Sequence, residues 1–424
     1  MLYSIISYGC QMNEYDSARI AAMLEFHGLQ LAKSSEEADI ILVNTCSVRA
    51  KAEENAISRI RDLKKLKIGN RGLRIGVLGC MAKNRGSSLL KDLPFLDFIL
   101  GPDEYHKLPE ILFGASNPLG TAPIDGNAEF AKLANSYSAF IAIQSGCNMR
   151  CSYCIVPYVR GREQYREPNS VLREIKAAVG KGVSEITLLG QTVNGYKYKD
   201  LNFAGLLKLV AEIDGVERIR FISPHPHHYT SELLDVLLSE KKIAPHVHLP
   251  VQSGSNSILK KMKRQYTREG FLNIVKILRE ANLFYGITTD IICGYPGETE
   301  EEFEETLLLL EEARFDGAFM FAYSSRKGTP SALENELITV EQKKARLQRV
   351  IDMQNSITLE RTKLMVGRRE KILLEKLSRR SSGEWLGKTG NFKKVIVNAQ
   401  PSFKEGMYVE CVIKSVKGHT LVGE

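Results

Sequence analysis

Short apolar runs alternate with helix-period patterns over the first hundred residues. Ser4–Tyr8, Ile40–Asn44, Ile75–Gly79 and Phe98–Leu100 read as buried strands, and Asp16–His27 and Ala50–Lys67 as amphipathic helices. Strands alternating with helices predict βαβ units and a parallel sheet, with ligands at the carboxyl ends of its strands. A polar stretch over 115–137, rich in Gly, Pro, Asn and Ser, reads as a linker. The alternation then resumes. Phe140–Gln144, Glu185–Gly190, Arg218–Ile222, His246–Pro250, Gly286–Ile292 and Ala318–Tyr323 predict strands, with helices such as Ser170–Val179, Arg268–Ala281 and Glu300–Arg314 between them. Six such units predict an open or incomplete (β/α) barrel, whose chemistry sits at the C-terminal strand ends. Val340–Leu364 is a long helical pattern. Beyond Glu370 the runs shorten to Lys371–Leu374, Trp385–Thr389, Val395–Val397, Met407–Val412 and Thr420–Val422, as in a small antiparallel barrel. The expected fold class is α/β: an N-terminal parallel-sheet domain over 1–115, a linker at 116–137, a partial (β/α)6 barrel over 138–361 and a small β-barrel over 362–424.

Composition adds bounds. The chain has 424 residues, 43% hydrophobic and 25% charged, which fits an ordinary globular protein of about two to three domains. No apolar run reaches the roughly eighteen residues of a membrane span. Met1–Ser7 lacks the charged region and cleavage site of a secretory signal. Eight cysteines in such a chain predict a cytoplasmic protein that uses thiols for metal or redox chemistry rather than disulfides. Of the formal net charge of +8, +7 falls in Thr362–Glu424, with thirteen Lys/Arg against six Asp/Glu. A basic terminal module points to a polyanion such as nucleic acid, or to a basic surface without a partner.

The candidate chemistry lies in the cysteines. Gly146 precedes Cys147-Asn148-Met149-Arg150-Cys151-Ser152-Tyr153-Cys154, in the loop after the first predicted barrel strand. Zinc loops usually pair two cysteine doublets, and no second doublet follows here. Three thiolates can instead hold three irons of a [4Fe–4S] cube and leave the fourth iron open. Cys10, Cys46 and Cys80 each follow a predicted N-terminal strand, in Gly9-Cys10-Gln11-Met12-Asn13-Glu14, Asn44-Thr45-Cys46-Ser47-Val48-Arg49 and Leu78-Gly79-Cys80-Met81-Ala82. Turns on one sheet edge can converge, so these three thiols are candidates for a second cluster. A buried cysteine can equally be a small apolar residue, which is the better reading for Cys293 and Cys411. Structural or zinc cysteines remain the alternative reading.

The C-x₃-C-x₂-C loop, with an aromatic before its last cysteine, resembles the radical-SAM superfamily. The two cysteine sets in this order, with Tyr153-Cys154-Ile155-Val156-Pro157-Tyr158 and Phe319-Met320-Phe321-Ala322-Tyr323-Ser324-Ser325-Arg326, resemble the radical-SAM methylthiotransferases, most closely the MiaB branch that acts on tRNA. Tyr165 departs from the Ser often found there. The resemblance implies a TRAM, OB-like RNA-binding barrel at the C-terminus and two [4Fe–4S] clusters on Cys10, Cys46, Cys80 and on Cys147, Cys151, Cys154. It also implies two S-adenosylmethionine (SAM) molecules per turnover, and a methylthio group placed on carbon 2 of isopentenyl-adenosine beside the tRNA anticodon. RimO-type acceptors (a ribosomal-protein aspartate) and MtaB-type acceptors (threonylcarbamoyl-adenosine) are the alternatives. The implied partners are the tRNA anticodon stem-loop, a flavodoxin- or ferredoxin-type electron donor and an iron–sulfur carrier. No membrane is implied, and a monomer is expected.

Geometry would then require both cysteine sets to face one cavity at a domain interface. Tyr153, and the strand-end residues Gln191, Ser223 and Gln252, are candidate SAM contacts, although Gly, Ser, Pro and Asn at such ends also simply make turns. Cys10, Cys46, Cys80, Cys147, Cys151 and Cys154 are the expected catalytic and metal-binding residues. Arg160, Arg162 and Arg166 either meet RNA or stabilise the barrel. The alternating Phe319, Phe321 and Tyr323 read as core before base platform. Arg368, Arg369, Arg379, Arg380, Lys393 and Lys394 are expected to grip phosphates.

Overall fold

The computed structural model describes residues 1–47, 50–114, 135–378 and 383–424. Val48, Arg49, Arg379, Arg380 and all but the end of the expected linker lie outside them.

The N-terminal unit is a five-stranded parallel sheet. Its strands are β1 (Leu2–Ser7), β2 (Gln30–Leu31), β3 (Ile40–Thr45), β4 (Arg74–Gly79) and β5 (Phe98–Leu100), in the order β2-β1-β3-β4-β5. β2 was not legible in the sequence pattern. It is a two-residue edge strand, exposed at both positions, so no apolar run marks it. β3 lies at the centre and is buried at all six positions, as expected of a parallel strand covered on both faces. Its residues alternate between two cores. Ile40 and Leu42 join Tyr3 and Leu78 on one side, while Ile41 and Val43 join Ile75 and Val77 on the other. The chain leaves β1 toward β2 and returns past β1 to β3. That reversal makes the crevice between the ends of β1 and β3 a topological switch point, where sheets of this order bind ligands.

The central unit holds the six predicted strands as two parallel three-stranded sheets. One pairs Ser138–Ala142, Glu185–Leu189 and Arg218–Phe221, and the other His246–His248, Gly286–Cys293 and Gly317–Ala322. An Ile219–Ile243 bridge ties the first sheet to the segment that leads into the second. Among the described residues no ladder joins the first and sixth strands, so the barrel is open on that side. Helices such as Pro168–Gly180, Arg268–Ala281 and Glu300–Ala313 cover the outside with Ile175, Phe271, Leu278, Phe303 and Leu310. The long pattern forms helix Val340–Lys363, opened by a capping box of Thr339 and Gln342.

Strands Arg369–Leu377, Glu384–Thr389, Lys394–Asn398, Tyr408–Lys417 and Thr420–Gly423 close into a small barrel around Ile372, Leu374, Trp385, Val395, Ile413 and Leu421. It docks at the end of the central barrel where the strands begin. Phe392, in the turn after Glu384–Thr389, stacks on His246 at 4.8 Å. Arg220 donates to the carbonyls of Thr389 and Gly390, both at 3.1 Å. Lys393 pairs with Asp316 at 3.1 Å and is only 8% exposed, so it braces this joint and does not reach phosphate. Lys394 and Arg369 remain exposed on the module's surface. Among the described residues no helix is long and apolar enough to cross a membrane.

Candidate active site at the facing strand ends

Cys10, Cys46 and Cys80 sit at the ends of β1, β3 and β4, on both sides of the switch point and one strand beyond. Cys10 caps helix Gln11–Phe26, and Cys80 opens helix Cys80–Arg85. Two glycines make the approach possible. Gly9 has φ +122°, and a Cβ there would lie 2.4 Å from the Cys46 Cβ. Gly79 has φ +92°, and a Cβ there would lie 2.4 Å from the Thr45 carbonyl oxygen. Only glycine fits both the left-handed conformation and the close contact. Asn13 ties the strand ends together, with Nδ2 donating to the carbonyls of Tyr8 and Thr45, both at 2.9 Å. Thr45 Oγ1 donates to the Leu78 carbonyl at 2.5 Å. The Cys10 thiol is held below its usual pKa by its hydrogen bond with Cys46, with the Arg160 guanidinium adding to the effect. Burial pushes the Cys80 thiol up, against the pull of Arg160.

Cys147, Cys151 and Cys154 share one loop after the first barrel strand. Gly146 opens it at φ +77°, where a Cβ would lie 2.1 Å from the Arg162 carbonyl. Two glutamines staple the loop to the second strand end. Gln144 Nε2 donates to the Gly146 carbonyl at 2.6 Å, and Gln191 Oε1 accepts from the Gly146 amide at 2.7 Å. Cys147 Sγ lies 3.1 Å from Thr192 Oγ1. Arg264 donates to Cys151 Sγ at 3.3 Å and to the Pro250 carbonyl at 3.0 Å. Burial raises the Cys147 thiol and pushes Cys154 up to about 12, with Cys151 nearby adding to the second effect. Such thiols are poor free nucleophiles, and metal ligation is what deprotonates a buried thiol outright.

The two sets face each other. Met12 and Tyr15, just after Cys10, pack on Ala142 and Leu189 at the ends of the first two barrel strands. Ile155, next to Cys154, packs with Val159 against Cys80. Beside the central loop a cavity of about 440 Å³ is lined by Cys147, Asn148, Arg150, Pro157, Gly161 and Arg162. Among the described residues no group of three His, Cys, Asp or Glu side chains is arranged to hold a metal ion. A closed structural zinc site takes four protein ligands, and each set brings three thiols. A cube spreads its cysteines over separate irons, so two isolated triads of thiols are a donor set that suits two [4Fe–4S] groups.

The remaining candidates divide. Gln191 serves the loop itself, as above. Ser223 and Gln252 both adopt positive φ, +59° and +73°, at the ends of the third and fourth strand regions. Strained backbone of this kind concentrates at functional sites. Tyr153 packs among Ile258, Met262, Tyr295 and Tyr323. Of the arginines after the loop, Arg160 pairs internally with Asp16 and Arg166 with Glu174, which favours the stabilising alternative, while Arg162 lines the cavity. The aromatic stripe also divides, with Phe319 53% and Phe321 36% exposed and Tyr323 buried. The core reading therefore fails for the first two, because helix Val340–Lys363 covers the opposite face of the strand, where Ala318 and Met320 pack with Leu347 and Met353. Arg264 escaped sequence reasoning. It stands in Lys260-Lys261-Met262-Lys263-Arg264, a run that reads as a solvated face.

Three family matches tile the chain: an uncharacterized protein family (UPF0004) over residues 2–101, the radical SAM superfamily over 141–310 and the TRAM domain over 363–424. The tRNA-2-methylthio-N(6)-dimethylallyladenosine synthase of Pelotomaculum thermopropionicum is 42% identical over 414 residues, covering 94% of this chain and 92% of the relative. That of Geotalea uraniireducens is 40% identical, covering 99% of this chain and 97% of its own length. The chain belongs to the tRNA-2-methylthio-N(6)-dimethylallyladenosine synthase family. Among solved structures, the radical SAM methyltransferase TsrM from Kitasatospora setae shares the fold at TM-score 0.59 and 13% identity, covering 78% of this chain and 77% of that one. The cobalamin-dependent SAM radical enzyme OxsB shares it at TM-score 0.53 and 14% identity, over 82% of this chain and 56% of that one.

Proposed function

We propose that this enzyme places a methylthio group on carbon 2 of N(6)-dimethylallyl-adenosine, next to the anticodon of tRNA, using two SAM molecules per product. The observation that carries the reading is the opposition of two three-cysteine sets, each at strand ends and each without a fourth ligand among the described residues. Cys10, Cys46 and Cys80 would hold one [4Fe–4S] cluster, and Cys147, Cys151 and Cys154 the other. When bound, the clusters and SAM supply the C–H activation, sulfur and methyl group that no side chain provides at neutral pH.

The chain's own residues bind and position. Gln144, Gln191 and Gly146 fix the central loop on the second strand end. Arg264 supplies a cation to Cys151 within a buried setting. Ser223, Gln252 and Tyr153 stand around the same strand ends and would contact SAM. Met12 and Tyr15, packed on Ala142 and Leu189, and Ile155 and Val159, packed on Cys80, hold the two units together beside the cysteines.

Residues 1–115 form the N-terminal cluster domain, 138–361 the radical-SAM barrel and 362–424 the RNA-binding module, with 116–137 as linker. Exposed Phe319 and Phe321 offer an aromatic surface for an unstacked base. Arg369 and Lys394 offer charge to the phosphates. A flavodoxin- or ferredoxin-type carrier supplies the electron, and the enzyme works as a cytoplasmic monomer.

The test is anaerobic turnover with SAM, a reductant and anticodon stem-loop RNA carrying dimethylallyl-adenosine. A nucleoside mass gain of one methylthio group, together with 5′-deoxyadenosine, is expected. 5′-Deoxyadenosine without change in the RNA would overturn the acceptor assignment.

A further inference from the structure

Arg160 belongs to the central unit by sequence and to the N-terminal cysteine set by contact. It ends the short helix Val156–Arg160, which follows directly on the Cys147–Cys154 loop. Its guanidinium crosses to the other domain and donates to Asn13 Oδ1 and Asp16 Oδ2, both at 2.8 Å. Both ends of the ion pair are buried, with side-chain exposures of 4% and 7%. Asn13 is the residue that clamps the ends of β1 and β3, and its Oδ1 also lies 3.8 Å from Cys10 Sγ. The same guanidinium faces the thiols of Cys10 and Cys80. On the same helix Val159 packs against Cys80.

A buried ion pair is a weak source of stability alone, since desolvation offsets most of its attraction. Its placement suggests another use. An iron–sulfur group on three thiolates is an anionic body in a low-dielectric seam. Donors and cations aimed at its sulfurs raise its reduction potential and its retention. We infer that Arg160 is a positioning residue for the N-terminal cluster: carried by the segment that bears the central cysteines, it completes the N-terminal cage and sets the charge felt there. Docking of the central cysteine loop and readiness of the N-terminal set are thereby coupled through one side chain. The inference rests on the assignment of one cluster to each cysteine set.

The experiment uses the full chain with Cys147, Cys151 and Cys154 replaced by Ala, reconstituted anaerobically with iron and sulfide. In this background Arg160→Met should move the midpoint potential of the remaining cluster, followed by electron paramagnetic resonance, to more negative values. It should also speed iron loss to a chelator several-fold. Arg160→Lys should recover part of the potential shift, because it keeps the charge without the fork to Asn13 and Asp16. Asp16→Asn, which leaves the guanidinium but removes its counter-charge, should move the potential the opposite way. That opposite sign is the signature a purely structural role would not give, and it remains readable if Arg160→Met folds poorly. Unchanged potential and stripping rate in Arg160→Met, or an unshifted Asp16→Asn, overturns the inference. A background protein holding neither iron nor sulfide would instead overturn the two-cluster assignment on which it stands.

Discussion

The central cysteines lie within one eight-residue loop, whereas Cys10, Cys46 and Cys80 are separated by thirty-six and thirty-four positions and meet only through a sheet. The loop needs local anchors: Gly146, Gln144, Gln191 and Arg264 hold it from two strand ends and one buried cation. The sheet set needs register. Its cysteines converge because β1, β3 and β4 are in parallel register and because Gly9 and Gly79 let neighbouring turns touch. A loop site can be written as a motif, while a sheet site is written as strand spacing plus glycine. The two therefore fail in different ways when mutated.

The largest expected effect separates their chemistry. Cys151→Ala should abolish both 5′-deoxyadenosine and methylthiolated RNA. Cys46→Ala should abolish the RNA product while 5′-deoxyadenosine continues to form. Quantifying both products by mass spectrometry checks this, and loss of 5′-deoxyadenosine in Cys46→Ala would erase the distinction.

A control lies far from both sets. Asp316 is buried among Lys393, Arg279 and Arg361. Asp316→Asn leaves two buried cations and the half-buried Arg279 without their carboxylate and should cost about 3–5 kcal/mol, seen as a lowered unfolding midpoint with iron content per folded chain unchanged. Although burial opposes ionisation, Lys393, Arg279 and Arg361 together hold the Asp316 carboxyl down, at about 2 against an ordinary value of 3.8. A depressed carboxylate pKa stabilises the fold above the ordinary value, and that stability fades as pH falls through the folded one. Roughly 2 kcal/mol should therefore disappear between about pH 4 and pH 2 in the parent and not in Asp316→Asn.

Gly79→Ala should destabilise the protein by about 2 kcal/mol and lower iron bound at the N-terminal set only. Gly146→Ala should lower iron bound at the central set only. Measuring each in a background with the opposite set replaced by Ala resolves them, and equal loss at both sets would mean that the sites form as one unit. The smallest effect is at the RNA module. Lys394→Glu should weaken tRNA binding and flatten its salt dependence, by about one unit of slope for each phosphate no longer neutralised, with both clusters intact. Lys393→Ala should act on thermal stability rather than on salt slope, because its ammonium is engaged by Asp316.

The barrel strands, the small β-barrel and the placement of six cysteines at strand ends were legible because each leaves a local trace: a run of apolar residues, a turn, a spacing of thiols. β2 left none, being two exposed residues. Arg264 left a misleading one, since an arginine in a lysine-rich run reads as solvated until a second element covers it, and Arg160 left its partner unnamed, because Asp16 lies 144 positions away. Phe319 and Phe321 looked like core because alternation on a strand records a sided pattern without saying which side is covered.

By itself the sequence determined the candidate thiols, their spacing and the alternation of strand and helix, since side-chain chemistry and burial period are properties of short segments. Only the tertiary structure decided that the two cysteine sets share a seam, that Arg160 crosses it, that Lys393 is engaged in a domain joint and that two phenylalanines stay exposed. Those facts depend on which distant surfaces pack together. That is settled by sheet register, close glycine contacts and the burial of paired charges, and no local stretch of the chain records them.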